Sequence, residues 1–272
     1  MDNRPIGIFD SGVGGLTGVR ALQAAAPSES VVYFGDTARV PYGSRTKEDI
    51  TQLSCQDVRF LRTYDLKAIL IACNTITANS IDTLRQENPG IPILGTIEPA
   101  AAAALRATKN KRIGIIATQA TVLSGAYDQA LLRMCPEVRI FAKGCPKLVP
   151  LIESGHISLG DAEIEAAVAE YMAPIKAEGV DTVILGCTHY PLIREVVQAY
   201  MGPDVSLVDS GGESARALLA ELTRTGDLAE KTAAGTASYF CSARLGEFEK
   251  IANIFLSQDI HGHAQEIDIE KY

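Results

Sequence analysis

The chain has 272 residues, 47% of them hydrophobic, enough to bury a sizeable core in one large domain or two ordinary ones. A net charge of −8 and no basic run speak against a nucleic acid or an anionic membrane as partner. No apolar stretch is long enough to cross a bilayer and no signal-peptide core opens the chain. The six cysteines are spread too thinly for a disulfide framework, so a cytoplasmic protein with reduced thiols is expected.

In chain order, a strand at 6–9 leads into Asp10-Ser11-Gly12-Val13-Gly14-Gly15 and a helix at 16–25. This glycine turn is like a dinucleotide fingerprint only in part. Thr17 stands where a third glycine belongs, and a carboxylate ahead of the turn would repel phosphate. Asp10 and Ser11 at a strand end are placed to meet some other ligand. A strand at 31–34 follows, then Asp36, then a loop with Pro41, Tyr42 and Gly43, where the tyrosine is either a ligand contact or an ordinary surface turn. A helix is expected at 47–64 and a strand at 68–72 that ends on Cys73-Asn74-Thr75, with a helix at 77–86.

Strands at 91–94, 113–117 and 138–141 bracket a helix at 120–134. Glu153 ends an apolar helical run, and a helix is expected at 161–178. The strand at 182–185 ends on Gly186-Cys187-Thr188-His189-Tyr190-Pro191. A strand at 205–208, a helix at 212–223 and a strand at 237–240 precede a polar tail in which His261 and His263 have no assigned role. Strand runs that are apolar without alternation are buried on both faces, as in parallel sheets covered by helices, so the fold class is α/β. The stretch Ile6-Gly7-Ile8 is echoed by Ile113-Gly114-Ile115, and the Cys73 strand by the Cys187 strand. Two similar halves would explain both echoes, as would chance.

A strand that opens into a helix is where α/β sheets bind ligands, and a thiol there faces the positive end of the helix, which favours the thiolate. A thiol in each half suggests a substrate held between two bases. Each cysteine alone reads equally as a small core residue. Zinc binding by Cys73, Cys187 and His189 lacks a common spacing and a fourth ligand. Cys55, Cys135, Cys145 and Cys241 lack the Asn/Thr setting and read as packing residues, and neither Lys47 nor Lys143 has the setting of a pyridoxal lysine.

Taken together, Asp10-Ser11-Gly12-Val13-Gly14-Gly15, Pro41-Tyr42-Gly43, Cys73-Asn74-Thr75 and Gly186-Cys187-Thr188-His189-Tyr190-Pro191 resemble the bacterial glutamate racemases, from about residue 5 to about residue 255. The resemblance implies two doubly wound parallel-sheet domains related by a pseudo-twofold axis, with the active site between them. It implies that the chain crosses back, giving a first domain of 1–97 plus 209–272 and a second of 98–208. It implies an isomerase that interconverts L- and D-glutamate without cofactor or metal for peptidoglycan synthesis, usually as a homodimer. By the same carry-over Cys73 takes the α-proton from D-glutamate and Cys187 from L-glutamate, assisted by Asp10 and His189. Ser11, Pro41, Tyr42, Gly43, Asn74, Thr75, Thr118, Thr121 and Thr188 line the substrate with them, while Asp36 and Glu153 match acidic positions of less defined role. Ile76 departs from the small residue often found there, which implies a packing difference. An aspartate racemase of the same superfamily and a non-catalytic binding protein are the competing readings. The histidine after Cys187-Thr188 favours glutamate, since aspartate-type relatives tend to carry an acid there.

Overall fold

Every one of the nine apolar runs forms a strand in the computed structural model, which describes residues 1–230 and 233–272. The strands fall into two sheets. The first has six strands in the order β10-β9-β2-β1-β3-β4: β1 (Ile6–Asp10), β2 (Val31–Gly35), β3 (Ala68–Ile71), β4 (Ile93–Leu94), β9 (Ala237–Cys241) and β10 (Ala264–Glu266). The second has four in the order β6-β5-β7-β8: β5 (Arg112–Ala117), β6 (Arg139–Gly144), β7 (Thr182–Gly186) and β8 (Ser206–Asp209). All pairings among the described residues are parallel. The late strand β9 returns to the first sheet and pairs with β2, Val31 opposite Ala237.

Strand order decides where a ligand can sit. From β1 the chain steps to β2 on one side and later to β3 on the other. From β5 it steps to β6 and then across to β7. The carboxyl ends of β1 and β3, and of β5 and β7, therefore flank the two points where the winding reverses, which is where parallel sheets open a crevice. The Ile-Gly-Ile echo marks these two central strands. An apolar cluster that includes Ile8 and Leu16 beside the first sheet continues to Val183, Leu185 and Tyr190 beside the second, tying the sheets into one core.

Helices α1 (Leu16–Ala25), α2 (Lys47–Leu61), α8 (Ala162–Ala177) and α10 (Ser210–Thr225) fall where expected to within a few residues. Others differ. Helix α3 (Asn74–Glu87) begins directly after Cys73, so Asn74 and Thr75 are its first turn rather than a preceding loop. The stretch expected as one helix at 120–134 is two, α5 (Gln119–Leu123) and α6 (Ala126–Met134), separated by Gly125 with a left-handed φ of +66°. Helices α4 (Ile97–Ala107), α7 (Leu148–Glu153), α9 (Arg194–Met201) and α11 (Leu245–Leu256) complete the layers. The polar tail is not idle. Its β10 pairs with β9, Ile269 is buried, the Tyr272 ring meets Phe60 edge-on, and His261 lies 3.0 Å from Glu249.

Candidate active site

A cavity of about 420 Å³ opens where the two crevices meet. Asp10, Ser11, Cys73, Asn74 and Thr75 reach it from the first sheet, and Thr118, Gly186, Cys187, Thr188 and His189 from the second. Residues 40–44 and Glu153 close its sides. Elements far apart in sequence thus bring most of the expected residues together.

Cys73 caps α3 and is buried, with its Sγ 3.5 Å from the Ser11 hydroxyl. The expectation that the helix terminus would favour its thiolate fails. Burial, and then the neighbouring Asp10 carboxylate, push the thiol up to about 12, outweighing the hydrogen bonds from Ser11 and the Ile76 amide. Asp10 itself ends β1, is 1% exposed, and is raised by burial despite His189, the Gly12 amide at 2.9 Å and Thr188 at 3.4 Å.

Cys187 follows β7 and is also buried, but no α-helix opens on it directly: residues 190–193 form a single 3-10 turn before α9. Its charge partner is His189, whose Nδ1 lies 3.8 Å from the sulfur. The other ring nitrogen, Nε2, meets Glu153 Oε1 at 2.9 Å, so α7 orients the imidazole from the cavity wall. Burial pulls the His189 pKa down, but the hydrogen bonds to Cys187 and Glu153 win and hold it at about 10, an imidazolium at neutral pH.

The glycine turn serves contact between lobes. A Cβ on Gly14 would lie 2.2 Å from Thr188 Oγ1 and 2.6 Å from His189 Nδ1, and Thr17 Oγ1 lies 3.1 Å from the Thr188 carbonyl. The third-glycine position is thus a threonine that ties the turn to the Cys187 loop. Across the cleft, Thr75, Thr118 and Thr121 join their hydroxyls, with Thr75 and Thr121 each 2.9 Å from Thr118.

Three expected residues differ from simple cavity lining. Thr121 is buried outside it, bonded to Thr118. Tyr42 borders the cavity, but its ring is buried and its hydroxyl donates to Asp36. Asp36 lies outside the cavity, in a buried cluster with Arg39 and Asp57 that anchors this loop. Several lining residues were not expected, among them Gln119, Val149 and Cys145, the last read as packing but lying just past β6. Among the described residues no three His, Cys, Asp or Glu side chains converge as a metal set.

Fold and site together define an α/β protein in which two sheets each present a strand-end thiol, one beside Ser11 and Asp10 and the other beside His189, to one shared cavity. A model of the Asp/Glu/Hydantoin racemase family matches residues 17–218. Over 276 aligned residues, 100% of this chain and 98% of the relative, the sequence is 41% identical to a glutamate racemase of Streptococcus thermophilus. Glutamate racemase isoform RacE1 from Bacillus anthracis has a TM-score of 0.93 at 35% identity, with 98% of each chain covered. A glutamate racemase from Francisella tularensis in complex with D-glutamate has a TM-score of 0.92 at 32% identity, with 100% of each chain covered. The chain belongs to the Asp/Glu/Hydantoin racemase family.

Proposed function

We propose that this protein racemises glutamate without a cofactor, with Cys73 and Cys187 as the two proton carriers. The observation that supports this best is that two buried thiols from different sheets reach one cavity, one beside Asp10 and Ser11, the other beside His189 and Glu153. Inversion at Cα needs a proton removed from one face and returned to the other, and a single base would have to change faces. In the free protein Cys73 is a thiol, ready to deliver a proton when Cys187 takes one from L-glutamate. For the reverse direction, the substrate ammonium beside Asp10 offsets the carboxylate that holds the Cys73 proton. His189 stores a proton for Cys187 and returns it. The hydroxyls of Ser11, Thr75, Thr118 and Thr188 and the Asn74 amide stabilise charge that builds on the substrate carboxylate, with Thr121 holding the Thr118 hydroxyl. The cavity residues include no lysine able to carry pyridoxal as an imine.

The roles in peptidoglycan synthesis, in the cytoplasm and as a homodimer belong to the same reading and are supported by family likeness. The test is interconversion of L- and D-glutamate, followed by circular dichroism after exhaustive chelation and with a carbonyl reagent present. Undiminished racemisation is the expected outcome, and activity that needs added metal or pyridoxal phosphate would overturn it. Aspartate should be a poor substrate, because a chain one methylene shorter leaves site groups unpaired. Comparable kcat/KM for both would move the assignment to the superfamily alone.

A further inference from the structure

Asn74 stands out among the cavity residues because its amide is gripped by both lobes. Its Nδ2 donates to Ser210 Oγ at 3.0 Å, and its Oδ1 accepts from Tyr127 OH at 2.7 Å and Thr96 Oγ1 at 3.0 Å. All four side chains are buried. Ser210 Oγ in turn donates to the carbonyl of Leu185, in the strand that ends on Cys187, at 2.9 Å.

The direction of this chain of bonds is determined. A hydroxyl has one proton, and Ser210 gives its own to Leu185, so toward Asn74 it can only accept. Asn74 must therefore turn its NH2 to Ser210 and its carbonyl to Tyr127. Burial keeps the Tyr127 phenol protonated, so it can donate to the Asn74 carbonyl in this orientation. An amide nitrogen carries two hydrogens. One goes to Ser210, and the other has no partner among the described residues, while Asn74 lines the cavity.

We propose that Tyr127 and Ser210 are positioning residues that fix the Asn74 amide so that it presents N–H, not C=O, to the cavity, where the reading above puts the substrate carboxylate. The carboxylate assignment depends on the glutamate reading above; the orientation of the amide does not. A flipped Asn74 would face a carboxylate with an oxygen, and would set its own carbonyl against the Ser210 oxygen, whose proton is committed to Leu185. Neither Tyr127 nor Ser210 lines the cavity, so Tyr127 reaches it through Asn74, whereas Ser210 also holds the Leu185 carbonyl; the cycle is therefore run on Tyr127.

The test is a double-mutant cycle with a second readout that needs no turnover. Tyr127→Phe should lower kcat/KM for both enantiomers about fivefold, the ratio one ordinary hydrogen bond sustains, mainly by raising KM. In an Asn74→Ala background the same substitution should change kcat/KM by less than about twofold, since its route of action is gone. A full fivefold loss in both backgrounds would overturn the proposal. If Asn74→Ala turns over too slowly, Cα–H exchange in D2O provides the rate. In protein labelled with nitrogen-15 asparagine, the Asn74 amide pair, assigned by its loss in Asn74→Ala, should shift in Tyr127→Phe and in Ser210→Ala. An unmoved pair would refute the positioning role whatever the substrate. If the pair responds to the variants but D-glutamate leaves it unmoved, the carboxylate assignment fails and the positioning role stands.

Discussion

The two thiols are alike in their sequence setting and unlike in their surroundings. Cys73 has a hydroxyl and a buried carboxylate beside it; Cys187 has an imidazolium backed by Glu153. An asymmetric pair predicts asymmetric variants. Cys73→Ser and Cys187→Ser should each lower racemisation by about 10²- to 10⁴-fold, because a hydroxyl is a far poorer base at neutral pH. Half-reactions should separate them. Cys187→Ser keeps the base that faces D-glutamate, so in D2O it should exchange the α-proton of that enantiomer alone, and Cys73→Ser that of L-glutamate alone. Exchange of the same enantiomer by both variants would contradict the opposed-base scheme. The residues themselves were legible because strand ends are legible: Cys73 and Cys187 terminate unbroken apolar runs. Their partners divide by distance along the chain. His189 is two residues from Cys187, whereas Glu153 is 36 residues from His189 and nothing in its local pattern shows the contact. Tyr42 shows the opposite failure. Its loop position suggested a ligand contact, but Asp57 on α2 and Asp36 past β2 turn its hydroxyl away, and only tertiary structure brings those acids together.

At the scale of elements, unalternating hydrophobicity located nine strands and missed the tenth. Strand β10, Ala-Gln-Glu, is three residues long and two of them are exposed, so it has no apolar signature; pairing with β9 alone makes it a strand. The start of α3 was misplaced because Asn and Thr favour turns, a preference that a helix N-terminus satisfies equally. The glycine turn borders the cavity at Gly12, and at Gly14 its physical reason is close approach of the two lobes. That reason can be tested. Gly14→Ala would put a methyl group against Thr188 and His189, at separations no real Cβ tolerates. These side chains or the turn must shift, at a cost of about 1–3 kcal/mol for overpacking. Displacing His189 should also lower turnover from L-glutamate more than from D-glutamate. Gly155→Ala is not a suitable control because φ there is +94°, whereas Gly90, with an ordinary φ and open space where a Cβ would lie, is. Gly90→Ala should leave both stability and turnover nearly unchanged. A Gly14→Ala protein with the melting temperature and activity of the parent would show that the lobes are not in contact here.

For the molecule as a whole, three buried groups of the cavity share one thermodynamic signature. His189 is raised from 6.5 to about 10, Cys73 from 9.0 to about 12, and Asp10 is raised from 3.8. In each case the folded protein binds the proton more tightly than the unfolded chain does. Unfolding therefore releases protons, and stability falls as pH rises. The His189 contribution is complete below pH 6.5 and is lost as pH climbs through about 10, and that of Cys73 is complete below 9.0 and is lost toward about 12. Asp10 acts at lower pH: its contribution is present below 3.8 and decays above it. Denaturant unfolding at intervals from pH 6 to 10.5 should show a steady decline across the neutral-to-alkaline range, with no plateau between 7 and 10. Glu153→Gln removes the carboxylate that holds the His189 proton, and it should flatten the part of the decline that belongs to His189 while lowering stability at pH 6. Cys73→Ala should flatten only the portion above pH 9. Stability that is level from pH 7 to 10 in the parent, or a slope that neither substitution alters, would mean that His189 and Cys73 do not hold these protons in the folded state, and the proton-storage role given to them would fall with it.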